Sequence, residues 1–533
     1  MENAPTSSVF LRAASGLIKS AGTLDVFIYN VGLISIGIGV AYTHLIGPAY
    51  YPGGSITIAS LIATVVMVFV GASYWFWTVT LPRSGAIYVF VTRGLSPPIG
   101  FALSFVESVC WLSLNAVAAV LISTVGISPL FSALGMVTGN AGMNSIAKAM
   151  QTPFAQFGFG AVLILLSGLL LSLGMRRYFL VQKVMFIIAV VGTILMILTL
   201  AVYSRQTFIA NFNHFMPSLG ANPYEAVITA AKANGWKDVQ FDWWQTLRLS
   251  VWPFLPLIGG AFSIAIGGEV RQVEKAQGIG ILGAIISSGI VFALVGYLSY
   301  KTIGYDFQGA LAYNADNVPA MATPIKPYFT LLLAILTNNL IITTVICLSF
   351  IAWIYFWVPG MLAYAERAML AWSFDRMAPN SVGYVSDRFH TPITAIVITV
   401  LVSLIMLYLY VYTTFFATLI FILAAAIAWF VTTVTGVFFP YRVKEIYEKS
   451  PVSRYMIVGI PLMSVVNFLA SLGLLLMVIL LWNDPLAAGH GAKSLGTLIV
   501  LFGLGIVLYF LMKGLRKRQG IDVSHAFKQI PIE

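Results

Sequence analysis

Apolar stretches of about twenty positions recur along the whole chain, each ended by a short polar or charged segment. A helix needs roughly 20 mostly apolar residues to cross the hydrocarbon core of a bilayer. On that criterion the chain is predicted to form spans near 25–46, 55–81, 99–125, 154–175, 179–203, 248–268, 277–303, 335–372, 391–412, 414–438, 455–482 and 493–513. The run from Lys326 to Trp372 is long enough to hold a re-entrant or external helical piece before the eighth span. The longest connection is 204–247. Within it Pro223–Asn234 reads as a short surface helix, with Pro at its start and Gly235 behind it. Trp243 and Trp244 then lead into the sixth span at interface depth, where Trp is favoured. A cap over an external vestibule and an inert surface loop are both open readings of this connection.

Composition agrees with the pattern. Of 533 residues, 59% are hydrophobic and 9% charged, against roughly 25% charged in soluble domains. So few charges cannot cover a soluble globule of this size, so much of the surface is expected to face lipid. The first twenty residues are polar, with Arg12 and Lys19 and no apolar core, and no cleavable targeting sequence is expected there. The net charge of +11 is unevenly spread. With the N-terminus inside, 21 of the 29 lysines and arginines fall on the internal side and 8 on the external side. That bias is the positive-inside signature of a multi-pass cell-membrane protein with both termini cytoplasmic. It explains the basic charge without a nucleic-acid partner. Cys110 and Cys347 lie in apolar runs and form no metal or redox motif, and no two of the five histidines are paired at helical spacing. No cofactor or metal is expected, and a haem protein is not supported.

Glycine and proline are placed unevenly within the apolar runs. Span one contains Gly32 and then Gly37-Ile38-Gly39; span six contains Trp252-Pro253-Phe254-Leu255-Pro256, then Gly259-Gly260 and Gly267-Gly268. Interior Gly and Pro weaken a helix. In lipid, freed backbone groups are tolerated only where protein or a wet cavity satisfies them. Interruptions in the first and sixth spans, five apart, are the pattern of a transporter built from inverted five-helix repeats, with its site at the two breaks. Unpaired N–H groups and the helix dipole there can hold a carboxylate. The other reading is that these glycines only let helices pack closely. The predicted fold is thus an all-α integral membrane protein of about twelve transmembrane helices: an inverted five-plus-five repeat with broken helices one and six, plus two C-terminal helices. Its parts are a cytoplasmic N-terminal segment 1–24, the first repeat 25–203, an extracellular loop 204–247, and the second repeat 248–438. A cytoplasmic loop with the last two helices, 439–513, and a cytoplasmic tail, 514–533, complete the chain.

The stretches from Gly37 to Val40, from Leu81 to Tyr88, from Gly259 to Lys275 and from Arg367 to Pro392 together resemble the amino acid–polyamine–organocation permeases. Gly37-Ile38-Gly39-Val40 is similar to that family's glycine-x-glycine break. Leu81-Pro82-Arg83-Ser84-Gly85-Ala86-Ile87-Tyr88 is similar to its Pro-Arg-Ser-Gly-Gly-x-Tyr block. The stretch from Gly259 to Glu269-Val270-Arg271-Gln272-Val273-Glu274-Lys275 resembles its span-six segment. Arg367, Asp375, Pro379, Arg388 and Thr391-Pro392 match the spacing of its segment after span eight. The sequence departs from the pattern at Ala86, Gln272, Val273, Glu366 and Arg376. The resemblance covers about residues 20–440. It implies cotransport or exchange by alternating access, with an amino acid's amino and carboxylate groups held by the backbone around Ile36, Gly37, Ile38 and Gly39 and around Gly259, Gly260 and Ala261. Trp111, Asn115, Phe254, Leu255 and Phe262 would line or gate that pocket, although aromatics at helical spacing also serve simple packing.

Glu107 lies eight residues into span three, about 12 Å along the helix. An intramembrane acid is costly and usually faces a cavity or a partner. Trp111 and Asn115 follow on its face at i+4 and i+8. Glu107 is therefore the candidate for carrying a proton or binding a cationic group, the alternative being a structural acid bonded to a neighbouring helix. Glu269, Arg271, Lys275, Arg367 and Asp375 fall at the cytoplasmic face, as ion pairs of an inner gate or as a solvated charged loop. Coupling chemistry is otherwise sparse. The resemblance implies a lysine deep in span five for proton coupling or hydroxyls in span eight for sodium. Lys183 lies at the edge of span five and 353–360 lacks Ser and Thr, so neither ion has its usual residues, and proton coupling or exchange is the preferred reading. Rival readings are a polyamine, nucleobase or organic-cation transporter on the same fold, and a non-transporting membrane subunit or sensor. An enzyme is not expected, and a homo-oligomer is left open because the lipid-facing helices mark no seam.

Overall fold

The computed structural model describes residues 16–321, 323, 325–413, 420–484, 486 and 491–528. Among them, twelve helices are long and apolar enough to cross a membrane. The first six are Thr23–Tyr50, Ile56–Thr80, Pro97–Thr138, Pro153–Ser172, Met175–Val202 and Trp243–Ala265. The second six are Val273–Thr302, Leu340–Phe374, Ile393–Tyr412, Phe421–Arg442, Leu462–Asn483 and Ala492–Arg518. The predicted N-terminal segment up to residue 15, the start of the tenth span at 414–419 and the tail from 529 lie outside the described residues.

Two boundaries differ from the sequence expectation for identifiable reasons. The third span continues past 125 to Thr138 through a π-helical turn at Ile122–Ile127. Pro129 falls in the first turn of the continuing helix, where its missing N–H costs little. The eleventh span starts at Leu462 because Met456–Ile457 and Ile460–Pro461 pair as a small hairpin turned at Val458 and Gly459.

The connections are docked rather than free. The run before span eight contains a separate buried helix, Phe329–Thr337, stopped at left-handed Asn338. The Asn339 side chain then accepts from the Ile341 and Ile342 N–H groups and caps span eight. The segment Pro223–Ala233 is helical and lies on a further helix, Tyr305–Asn317: Tyr224 stacks on Phe307 with centroids 4.2 Å apart, and Asn314 donates to the Val227 carbonyl at 2.8 Å.

Burial sorts the spans. In the first and sixth, 83% of the apolar window is buried, against 22% in the twelfth. The outer helices point Leu166, Ile187, Leu401 and Val507 outward with more than half of each side chain exposed, as a lipid-facing surface requires. The two ends of the bundle differ in charge. At one, the Ser20 and Ala21 N–H groups donate to the Glu269 carbonyl (2.9 and 3.0 Å) and the Arg271 N–H donates to the Ala21 carbonyl (2.9 Å). Arg176, Arg177 and Arg388 gather around that pairing, and we call this the basic end. The other end carries Asp306 bound to Arg205 and Asp316 bound to Lys326.

Candidate functional site

The first span is two helices, Thr23–Ile34 and Ile36–Tyr50, joined at Ser35, whose φ of 52° is left-handed. A residue other than glycine holds this left-handed conformation, so its cost is met by contacts: the Ser35 hydroxyl donates to the Trp353 carbonyl at 2.8 Å. The sixth span changes from α-helix at Val251–Leu257 to 3-10 helix at Ile258–Ala265. The two transitions lie side by side. A Cβ on Gly259 would strike the Leu33 carbonyl and the Ile34 nitrogen, so glycine here permits backbone-to-backbone approach of spans one and six. Gly37 and Gly260 instead abut the side chains of Trp353 and Ile285, which is close helix packing. The Leu33 carbonyl also accepts from the Trp357 indole N–H at 2.7 Å.

A cavity of ≈460 Å³ runs from this junction toward the end opposite the basic one. Its inner wall includes Gly39, Trp111, Gly259, Phe262, Trp357 and Met361. Near its mouth Asp316 pairs with Lys326 (3.2 Å) and accepts from the Tyr50 hydroxyl (3.0 Å). Between these ends the lining is mostly aliphatic and aromatic. Beneath it Phe262 packs against Trp111 at 4.7 Å and against Tyr364 at 5.0 Å, closing the floor.

Toward the basic end, the Arg367 Nε donates to Glu269 at 3.0 Å, with both side chains buried, and the guanidinium also contacts Glu366. A second buried pair joins Arg93 to Asp375 through two bonds of 2.6 and 2.8 Å. Buried charges persist only when paired, so these groups clamp spans six and eight and the segment after span two at this end.

The sequence candidates divide accordingly. Ile38, Gly39, Trp111, Leu255, Gly259 and Phe262 line the cavity. Ile36, Gly37, Asn115, Phe254, Gly260 and Ala261 are buried but are not among its lining residues. Asn115 is turned to span eight, where its Nδ2 donates to the Val358 carbonyl at 2.6 Å. Glu107 is fully buried beside the floor, accepting from the Tyr364 hydroxyl at 2.7 Å and from the Trp429 indole. It thus ties span three to spans eight and ten. Of the charged candidates, Glu269 and Arg367 meet, whereas Asp375 takes Arg93. Arg271 is exposed and bonds the Lys19 carbonyl (2.9 Å), and Lys275 borders a separate surface hollow with Trp75 and Pro451.

Sequence reasoning missed a buried amide network. Asn30 Nδ2 donates to Ser263 Oγ (3.0 Å), Asn30 Oδ1 accepts from the Ser263 N–H (3.0 Å), and Ser263 Oγ donates to Gln277 Oε1 (2.5 Å). Gln277 Nε2 returns to the Ser263 carbonyl at 3.0 Å. The network ties span one, span six and span seven together below the junction. The available signal was an Asn inside one apolar run and a Gln at the start of another. Gln277→Leu leaves the Ser263 hydroxyl without its acceptor, while the Ser263 carbonyl keeps the Ile266 N–H, and is expected to cost about 1–3 kcal/mol, read as a lower melting temperature of the purified protein. Asn30→Ala combined with it should be less than additive, because both changes disable one network.

Among the described residues, twelve helices long and apolar enough to cross a membrane surround a small-molecule-sized chamber, the architecture of a multi-pass membrane protein. The chain belongs to the amino acid permease family, whose model matches residues 22–510, and is a transporter rather than an enzyme. It is also similar to the branched-chain amino acid permease BcaP of Bacillus subtilis (strain 168), 28% identical over 216 residues. That alignment covers 39% of this chain and 44% of the relative, less than half the length of either.

Proposed function

We propose that the protein is a secondary transporter for amino acids with apolar side chains, working by alternating access and either proton-coupled or as an exchanger. The observation that carries this reading is the cavity: it is aliphatic and aromatic along its length and ends where spans one and six change conformation. The helix Ile36–Tyr50 begins at that junction without a side-chain cap, leaving first-turn N–H groups and the positive end of its dipole for a carboxylate. The side chain of the substrate would then lie among Ile38, Phe262 and Met361. The charges lining the cavity, Asp316 and Lys326, neutralise one another, which suits a zwitterion better than a polyamine or an organic cation. The relative's name, a branched-chain amino acid permease, points to the same class.

On this reading spans one and six are the broken helices of an inverted repeat, 25–203 and 248–438, with the last two spans added. The basic end faces the cytoplasm together with both termini, by the positive-inside bias. Glu269–Arg367 and Arg93–Asp375 form the closed inner gate, and the cavity opens outward.

The test is uptake by purified protein in liposomes, with labelled leucine, isoleucine, valine, phenylalanine, lysine, glutamate and putrescine, with and without an inward proton gradient. Uptake of the aliphatic amino acids above lysine, glutamate and putrescine is expected. Preferential putrescine uptake would replace the substrate class, and no uptake or exchange of any compound would remove the transport reading. In the same assay Glu107→Gln should abolish gradient stimulation while sparing counterflow exchange. Full gradient stimulation in the variant would leave Glu107 with a structural role only.

A further inference from the structure

A second cavity, ≈660 Å³, opens at the basic end between the turn joining spans four and five, the loop before span nine and the chain leading into span one. Its wall holds Arg176, Arg177, Lys183 and Arg388 with His390, brought from two separate parts of the sequence. The charges do not cancel. Lys183 is taken by Asp25 at 2.7 Å, and Glu269 on the inner wall is taken by Arg367 at 3.0 Å. Among the described residues no carboxylate lies within ion-pair distance of Arg176, Arg177 or Arg388, Asp387 beside them included. Two of the three are nonetheless held: the Arg177 and Arg388 guanidiniums lie 6.0 and 5.1 Å from the Phe389 ring centroid. His390 is fixed by a 3.1 Å hydrogen bond to the Gly16 carbonyl.

One wall of this cleft is apolar and continues outward. Leu173 and Leu180 line it, and Leu180, Val184, Ile187 and Val191 follow at helical spacing along span five, each more than half exposed. Three uncompensated guanidiniums at the head of an exposed aliphatic stripe are the two halves of an amphiphile's binding site.

We propose that this cleft binds an anionic phospholipid, its phosphate between Arg176, Arg177 and Arg388 and an acyl chain along Leu180, Val184 and Ile187. The guanidinium fork suits phosphate oxygens. The stripe selects a lipid over a free anion, and anionic lipids are enriched in the cytoplasmic leaflet, which the basic end faces on the orientation given above. A lipid seated there bridges the span four–five turn, the loop at Arg388 and the chain that pairs with Glu269, so it reinforces the end closed by Arg367. The inference needs the membrane placement but not the transported substrate, and its test reads binding alone.

The full chain in detergent is melted with increasing dioleoylphosphatidylglycerol, with dioleoylphosphatidylcholine and with millimolar inorganic phosphate. Phosphatidylglycerol should raise the melting temperature, and the other two should not. In R177Q/R388Q the lipid concentration for half-maximal stabilisation should rise about 25-fold, at about fivefold per arginine removed. K517Q/R518Q, changed elsewhere on the same end, should respond as the wild type does. An unchanged response in R177Q/R388Q, an equal shift with phosphatidylcholine or a full shift with phosphate alone would each overturn the proposal. Should R177Q/R388Q not fold, native mass spectrometry of R388Q and wild type in an equimolar mixture of the two lipids decides. Weaker phosphatidylglycerol retention by R388Q supports the site, and equal retention overturns it.

Discussion

Gly259→Val abolishes uptake without preventing membrane insertion. The apolar character of span six is kept, so the helix still enters the bilayer. The added Cβ, however, meets the Leu33 carbonyl and the Ile34 nitrogen, which are backbone atoms with no rotamer to move. Spans one and six must separate where both change conformation, and the carboxylate site proposed at the start of Ile36–Tyr50 is displaced with them. Overpacking of this kind costs about 1–3 kcal/mol, so uptake should fall about tenfold for Gly259→Ala and about 100-fold for valine. Gly503→Val is the control, since nothing lies within 4 Å of a Cβ at Gly503. The measurement is leucine uptake normalised to protein inserted in the liposomes. Near-wild-type uptake by Gly259→Val would mean that the junction is not where substrate sits.

What the sequence shows well is what depends on a local property. Twenty apolar residues in a row read directly as a span, and the glycine and proline clusters in spans one and six mark the stretches where Ser35 and Ile258–Ala265 leave α-helical geometry. Boundaries fail where local signals are ambiguous. Pro129 sits inside a continuing helix, and Tyr305–Asn317 is polar enough to pass for a loop until Tyr224 and Asn314 show what it packs against. Pairings fail for a different reason. Arg93 and Asp375 are 282 residues apart, and nothing near either residue names the other. The same holds for Asn30 and Ser263, each a single polar residue in an apolar run, and for Gln277 at the polar start of span seven. Glycine clusters also read alike whether they admit a side chain, as at Gly37, or a backbone, as at Gly259. Only the packed structure separates the two.

Removing Arg367 should be the most damaging single change at the basic end. Its guanidinium is buried with Glu269 and touches Glu366, so Arg367→Met leaves two carboxylates in a dry site without a cation. Breaking a buried pair from one side costs about 3–5 kcal/mol, chiefly through the charge left behind. The expected result is a large loss of monodisperse protein after detergent extraction and a lower melting temperature in what remains. Arg367→Met with Glu269→Gln removes one of the two stranded charges, so the double variant should recover part of the loss. A double-mutant cycle then separates the pair from the packing of the long arginine stem. No recovery would mean that Arg367 matters through Glu366 or through its stem rather than through Glu269. The distinction bears on function because Glu269 lies in the turn just after span six and Arg367 in span eight. If the proposed gate opens at this end, the two must part during each cycle, so Glu269→Gln alone should loosen the closed state. A cysteine placed at Ser20, beside the Glu269 carbonyl, should react faster with a membrane-impermeant thiol reagent in that variant than in the wild-type background.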